Sequence, residues 1–424
     1  VDTTDPAQVR AAMADLASTV VVISSKSGGT LETDSHHRAF RAAFETAGID
    51  PATRIVVVTD PESPLEALAT ELGVRAIFRA DPDVGGRYSA LTAFGLMPSA
   101  LAGADVAALL DQAEAALAGL GDDDSPGLLL GAALGAGAVA GRDKLVLSDG
   151  GSGIEGFGDW AEQLVAESTG KQGKGLLPVV VGTPQAPGNE DRPDSHRITV
   201  GGASPEPGTS ISGPLGAQFL VWEYAVAVAG RVLGIDPFDQ PNVQESKDNT
   251  NDLLDEAGDG PLPEGEPAFT DGPVAVYADA ALLGDAGTLR DAITALLGQV
   301  GDGGYLAVMA YLDRISEASV ATVRSALASR LPHPVTFGWG PRFLHSTGQF
   351  HKGGPQVGVF LQVTAEADGD VPIPDRPFDF ARLQRAQSLG DLHALEERHR
   401  PVVRVHLTHR AAGITALLAA VQAA

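Results

Sequence analysis

The run Thr19-Val20-Val21-Val22-Ile23-Ser24-Ser25-Lys26-Ser27-Gly28-Gly29-Thr30-Leu31-Glu32-Thr33 starts as an apolar strand over residues 19–24. It then turns through small hydroxyl residues and two glycines. A helical pattern follows at 34–47, then a strand at 54–59, a helix at 64–72 and a short strand at 75–79. Strands alternating with helices of this length read as βαβ units around a parallel sheet. A helical stretch at 104–120 leads into the polar turn Gly121-Asp122-Asp123-Asp124-Ser125-Pro126, which reads as a domain boundary. Beyond it the theme repeats. A helix at 127–140 precedes a strand at 144–147, the turn Asp149-Gly150-Gly151-Ser152-Gly153, a helix carrying 160–167 and a strand at 177–181. The first two regions therefore look like two copies of one α/β plan.

Residues 184–214 are rich in Pro, Gly, Asn and Asp and read as loop around a short strand at 197–200. A long apolar helix follows at 215–233. The acidic, Gly/Pro-containing stretch 248–271 reads as an exposed linker or insertion. A third α/β alternation comes after it, with strands near 274–277, 305–311, 335–339, 357–363 and 402–407.

The 424 residues, 44% of them hydrophobic, suffice for two or three domains with buried cores. Against 55 Asp and Glu stand only 29 Lys and Arg, a formal charge of -26, and such a surface repels phosphate backbones and anionic lipid. Nucleic acid is excluded as an expected partner. An anionic metabolite is not, because a few cations lining one cleft can reverse the local field. The absence of cysteine excludes disulfides, zinc-thiolate sites and cysteine nucleophiles, and agrees with a reducing cytoplasm. The best apolar stretch, 127–139, is too short to span a bilayer. No membrane partner is expected.

Four segments carry chemistry. In residues 24–33, hydroxyl side chains, glycines and one Lys precede a helix start, which suits a phosphate monoester; the same turn also reads as an ordinary N-capped joint. Asp83-Val84-Gly85-Gly86-Arg87-Tyr88-Ser89 sets an Arg after two glycines, where it could stabilise a developing oxyanion or pair with a nearby carboxylate. Gln163 and Glu167 share one helix face at i and i+4, a spacing that solvated surface helices also show. The following Ser168-Thr169-Gly170-Lys171-Gln172-Gly173-Lys174-Gly175 adds two cations, and beside a phosphate cleft a carboxylate can serve as general base. Last, in Pro237-Phe238-Asp239-Gln240-Pro241-Asn242-Val243-Gln244-Glu245-Ser246-Lys247, Pro241 should start a helix that carries Lys247.

Together and in this order, the four segments resemble the phosphoglucose isomerase family over roughly residues 1–250. The family's phosphate loop falls on Ser25, Lys26, Ser27, Thr30 and Thr33, its Gly-Gly-Arg segment on Gly86 and Arg87, and its Gln-x-x-x-Glu helix on Gln163 and Glu167. Its Phe-Asp-Gln segment falls on Gln240 and Lys247. The last third resembles the isomerase portion of bifunctional transaldolase/phosphoglucose isomerase proteins through Pro341-Arg342-Phe343-Leu344-His345-Ser346-Thr347-Gly348-Gln349-Phe350-His351-Lys352-Gly353-Gly354-Pro355.

The resemblance implies two sugar-isomerase (SIS) type parallel-sheet sandwiches and a C-terminal α/β region. The expected division is 1–120 for the first sugar-isomerase domain, 121–250 for the second, 251–271 for an acidic linker and 272–424 for the C-terminal region. The chain opens on Val1, downstream of where the family's first glycine/serine loop belongs, so the first domain is expected to be N-terminally incomplete. The implied activity is interconversion of glucose 6-phosphate and fructose 6-phosphate through a cis-enediol, without metal or cofactor. Glu167 would be the base and Arg87 the enediolate stabiliser, with Lys247 and a histidine opening the ring. His345 is the first candidate for that histidine, with His351 and His196 behind it, because Gly216-Ala217-Gln218-Phe219 stands where the family places its own. A homodimer is implied, and a transaldolase domain fused upstream is compatible.

Two other readings compete. A sugar-phosphate-sensing regulatory module would keep 25–33 but has no need of Glu167, Arg87 and Lys247 together, so their joint presence favours catalysis. An inactive fragment of a fusion protein is the other.

Overall fold

The computed structural model describes residues 1–239, 241–258 and 260–424, with side chains throughout these except 242–247. The chain forms two compact units. One comprises Val1–Gly121, Pro214–Val221 and Ala367–Leu383; the other comprises Asp122–Gly213, Trp222–Glu366 and Gln384–Ala424.

The first unit is built on a three-stranded parallel sheet, β1 (Val21–Ser24), β2 (Ile55–Thr59) and β3 (Ala76–Arg79), in that order. Every residue of the central strand β2 is buried, as a continuous Ile-Val-Val-Val run should be when helices cover both faces of a parallel sheet. Helix α1 (Leu31–Thr46) starts immediately after the Gly28-Gly29 turn, three residues before the predicted start. Its buried Phe40 and Phe44 pack into a core with Ile23, Ile55, Val57 and Leu65. Helix α2 (Pro64–Leu72) has the ends that its sequence announces. Ser63 accepts from the Glu66 N–H at 3.1 Å, Pro64 occupies the first helical position, and Gly73 ends the helix in the left-handed region at φ 61°.

The second unit holds two sheets. In the smaller, β4 (Lys144–Asp149), β5 (Leu177–Val180), β6 (Ser195–Val200) and β7 (Thr209–Ile211) run parallel in the order β5-β4-β6-β7. Strand β7 lies within the stretch expected to be loop; three residues between Gly/Pro segments are too short to show alternation. Helix α3 (Pro126–Val139) precedes β4, and α4 (Phe157–Thr169) connects β4 to β5. The larger sheet contains β8 (Phe269–Asp271), β9 (Val274–Ala278), β10 (Tyr305–Ala310), β11 (Val335–Trp339), β12 (Gly358–Ala365) and β13 (Val402–Leu407), ordered β11-β10-β12-β13-β9-β8. Its first four strands are parallel, while β9 pairs antiparallel with β13 and forms a hairpin with β8.

Side chains of both sheets share one core. Val146, Leu177 and Val179 pack with Tyr305, Met309, Phe343, Phe350 and Phe360, and Ala166 of α4 belongs to the same cluster. Helix α5 (Leu215–Leu233) contributes its first residues to the first unit and the rest to the second. Helix α6 (Pro241–Ala257) corrects the reading of an exposed linker from Asp248. Leu253 and Leu254 are buried while Asp252, Asp255 and Glu256 face solvent, so two leucines anchor a stretch whose composition looks unstructured. Two further helices matter below, α7 (Thr347–Gly353) and α8 (Phe380–Glu396). Among the described residues no helix is long and apolar enough to cross a membrane.

Candidate active site

The first unit carries the hydroxyl loop at the carboxyl end of β1, where open parallel sheets bind ligands. Ser25 is buried; its Oγ accepts from the Gly28 N–H at 3.0 Å and lies 3.3 Å from Thr30 Oγ1. Ser27 is exposed, and its Oγ accepts from the Gly29 N–H at 3.1 Å. Gly28 has φ +78°, and a Cβ there would lie 2.7 Å from Leu65 Cβ, so no side chain fits. Thr30 is the N-cap of α1 but makes no side-chain cap bond, and Thr33 sits half-buried in the first turn. The loop thus presents hydroxyls and helix N–H groups together, the chemistry an anionic oxygen cluster needs.

Lys26 is committed within the unit. Its ammonium pairs with Asp60 at 3.1 Å and donates to the carbonyls of Pro82 at 3.2 Å and Val84 at 2.8 Å. It therefore ties the hydroxyl loop to the segment leading into Gly85-Gly86-Arg87. Gly86 is exposed and opens a 3-10 turn, and Arg87 in that turn is buried with its guanidinium 5.4 Å from the Tyr88 ring centre.

The second unit carries α4. Gln163 Nε2 donates to Glu167 Oε2 at 3.2 Å, and Glu167 is only 5% exposed, which sets the pair apart from solvated decoration. Residues 164–169 are all buried. The helix ends where Thr169 Oγ1 donates to the Val165 carbonyl at 2.8 Å and accepts from Leu176 N–H at 2.9 Å. Gly170 follows against Phe350: a Cβ there would be 2.5 Å from Phe350 Cα.

The two lysines after this helix are structural. Lys171, 1% exposed, donates to the Asp236 carbonyl at 2.8 Å and pairs with Asp239, while Lys174 donates to the Leu233 carbonyl at 2.9 Å. Both secure the turn after α5. Of the two site positions expected just beyond, Gln240 lies outside the described residues altogether and Lys247 lies outside them as to its side chain.

The three histidine candidates differ sharply. His351 on α7 is buried, stacks on Tyr305 with centroids 5.6 Å apart, and shares a 2.8 Å hydrogen bond between Nδ1 and the Tyr305 hydroxyl; burial holds its pKa well below the usual range. His196 on β6 lies 2.8 Å from Thr209 Oγ1, and burial lowers its pKa too. His345, in the 3-10 turn Arg342–His345, is half-buried. Among the described residues no group of three His, Asp or Glu could hold a metal ion.

One side chain that motif reading passed over stands out. Glu162 on α4 is buried, and that burial pushes its carboxyl up to about 7 against the opposing pull of Arg342. Ser346 Oγ donates to Glu162 Oε1 at 3.2 Å, and Arg342 Nη2 donates to the Asp159 carbonyl at 3.3 Å. The signal for it was a charged residue on the apolar face of a helix that continues into Leu164-Val165-Ala166.

The fold is a sugar-isomerase-type α/β architecture with parallel-sheet cores. A hypothetical protein of Thermus thermophilus shares the fold, with a TM-score of 0.52 and 23% identity over 59% of this chain and 75% of its own. No family model matches the chain. A probable glucose-6-phosphate isomerase of Haloarcula marismortui is 38% identical over 181 residues, 42% of this chain and 41% of that protein. Another, of Halobacterium salinarum, is 30% identical over 332 residues, covering 62% of this chain and 75% of that protein. The chain belongs to the glucose-6-phosphate isomerase family. It spans about two fifths of the length of the first curated relatives that it matches, 41% and 42%.

Proposed function

We propose that this chain interconverts glucose 6-phosphate and fructose 6-phosphate through a cis-enediol, with Glu167 moving the proton. In the aldose-to-ketose direction Glu167 takes the proton from C2 of the opened sugar and returns it to C1. Meanwhile O1 gains a proton and O2 loses one. Gln163 holds the carboxylate in position, and Arg87 balances negative charge on the enediolate. Ser25, Ser27, Thr30, Thr33 and the α1 N–H groups receive the phosphate, with Gly86 leaving room for substrate. Lys26 serves that loop by holding it to its neighbour. His345, with Lys247, attends to ring opening, and Gln240 helps to bind the substrate. The sugar phosphate is the only partner that this chemistry requires, and a homodimer goes with the family reading. Binding the phosphate far from the reacting carbons supplies orientation that a proton transfer cannot supply itself.

The observation that carries the reading is the buried Glu167 with its 3.2 Å hydrogen bond from Gln163, on a helix whose sequence matches the family's. His351 is set aside because its ring is buried in the core against Tyr305. The test is a coupled assay of fructose 6-phosphate conversion by this chain and by its Glu167→Gln variant. A general base removed without change of shape lowers kcat on the order of 10²–10⁴-fold. Equal turnover by Glu167→Gln would refute the assignment. Binding of sugar phosphate without any turnover would favour a sensing module.

A further inference from the structure

Segment 341–353, from which the chemistry above takes His345 alone, lies along α4. Arg342 donates to the Asp159 carbonyl at 3.3 Å near the helix start, and Ser346 reaches Glu162 at 3.2 Å one turn on. At the far end Gln349 Nε2 donates to the Gly170 carbonyl at 2.8 Å, and the Gly173 N–H donates to the Gly353 carbonyl at 2.9 Å. The segment is itself anchored from behind, because Lys352 on α7 pairs with Asp391 on α8 at 2.7 Å, both side chains buried. Of these four contacts, Glu162 to Ser346 joins two side chains, and it occurs five residues before Glu167.

We propose that Glu162 is a positioning residue, which through Ser346 locks α4 in rotation and translation against segment 341–353 and thereby aims Glu167. The inference rests on the reading of Glu167 as base. A helix can slide or rotate slightly while keeping its apolar contacts, whereas a buried carboxyl hydrogen-bonded to a buried hydroxyl tolerates little displacement. The raised pKa fits this role, since a carboxyl that can keep its proton near neutrality sits in the dry interface without an uncompensated charge. Arg342 and Asp159 are the charged groups that face it. Lys352 of α7 is already paired with Asp391, and β5 carries no titratable residue.

Steady-state kinetics of the full chain with Glu162→Ala, Glu162→Gln, Ser346→Ala and the Glu162→Ala/Ser346→Ala pair provide the test, with Glu167→Gln alongside. Misaiming the base lowers kcat by about 10–100-fold in either alanine variant while KM for fructose 6-phosphate stays within about twofold. Glu162→Gln keeps an acceptor for Ser346 and retains kcat to within about threefold, and the double variant is no worse than the poorer single one. Full kcat in Glu162→Ala, or losses that multiply in the double variant, would overturn the proposal. So would equal damage in Glu162→Gln and Glu162→Ala. If instead Glu167→Gln is as active as the parent, the functional reading fails. Amide hydrogen exchange over residues 163–170 then still decides whether Glu162 fixes the helix: faster exchange in Glu162→Ala but not in Glu162→Gln upholds it, and unchanged exchange in both refutes it.

Discussion

Replacing Lys352 by Met removes a charge from a site that water does not reach. The Lys352 and Asp391 side chains are 1% and 2% exposed, the Nζ–Oδ1 distance is 2.7 Å, and Asp391 Oδ2 is buried with no hydrogen-bond partner among the described residues. Met fills nearly the same volume, so the packing of α7 survives while the Asp391 carboxylate loses its counter-ion. Breaking a buried pair from one side costs about 3–5 kcal/mol, because the remaining charge is left uncompensated. With a guanidinium dependence of several kcal/mol per M, the denaturation midpoint falls by on the order of 1 M. Asp391→Leu destabilises by a similar amount for the same reason. The Lys352→Met/Asp391→Leu double variant returns to within about 2 kcal/mol of the parent, since removing both charges also removes both desolvation costs. Chemical denaturation of the four proteins, followed by circular dichroism, measures the cycle. Singles within about 1 kcal/mol of the parent, or a double variant as unstable as the two singles summed, would refute the picture of a dry, mutually dependent pair.

Gly170→Ala pushes a methyl to 2.5 Å from Phe350 Cα and 2.8 Å from the Ala166 carbonyl oxygen. Two backbones must part, so stability drops by about 1–3 kcal/mol by denaturation, and kcat falls with it because the strain lies three residues from Glu167. Glu223 on α5 has its carboxyl pushed up to about 8 by burial, and its Oε1 is buried without a partner. Its folded pKa exceeds the unfolded one near 4.5, so the folded state holds a proton that the unfolded state has released. That contribution is full below about pH 4.5 and is lost as the pH rises through about 8. Glu223→Gln should flatten this decline, which thermal midpoints at acidic and mildly alkaline pH would show; an unchanged slope would count against it.

Much of the architecture was legible because its determinants are local. The Ile55-Val56-Val57-Val58 run announces a doubly covered strand, and Ser63, Pro64 and Gly73 bracket their helix by effects that act within one turn. Five strands of the larger sheet stood out as apolar runs. Strands β7 and β8, three residues each, did not, because they acquire strand character only from the neighbours they pair with. The helical part of 248–257 was hidden for a related reason: its acidic composition outweighs two leucines until something packs on them.

The sequence by itself determined which residue types stand at strand ends and helix starts, since period, caps and glycine turns are set over a few residues. It also brought Gln163 and Glu167 onto one helix face, because helical geometry alone places i beside i+4. Only the tertiary structure decided what the cations and histidines are attached to. Lys26 turned out to hold Asp60 and the carbonyls before Gly85, Lys171 the turn at Asp236 and Asp239, and His351 a core tyrosine. It likewise revealed Glu162 against Ser346, a pair 184 positions apart. A charge takes its partner from whatever the fold brings within a few ångströms, and no local pattern encodes that distance.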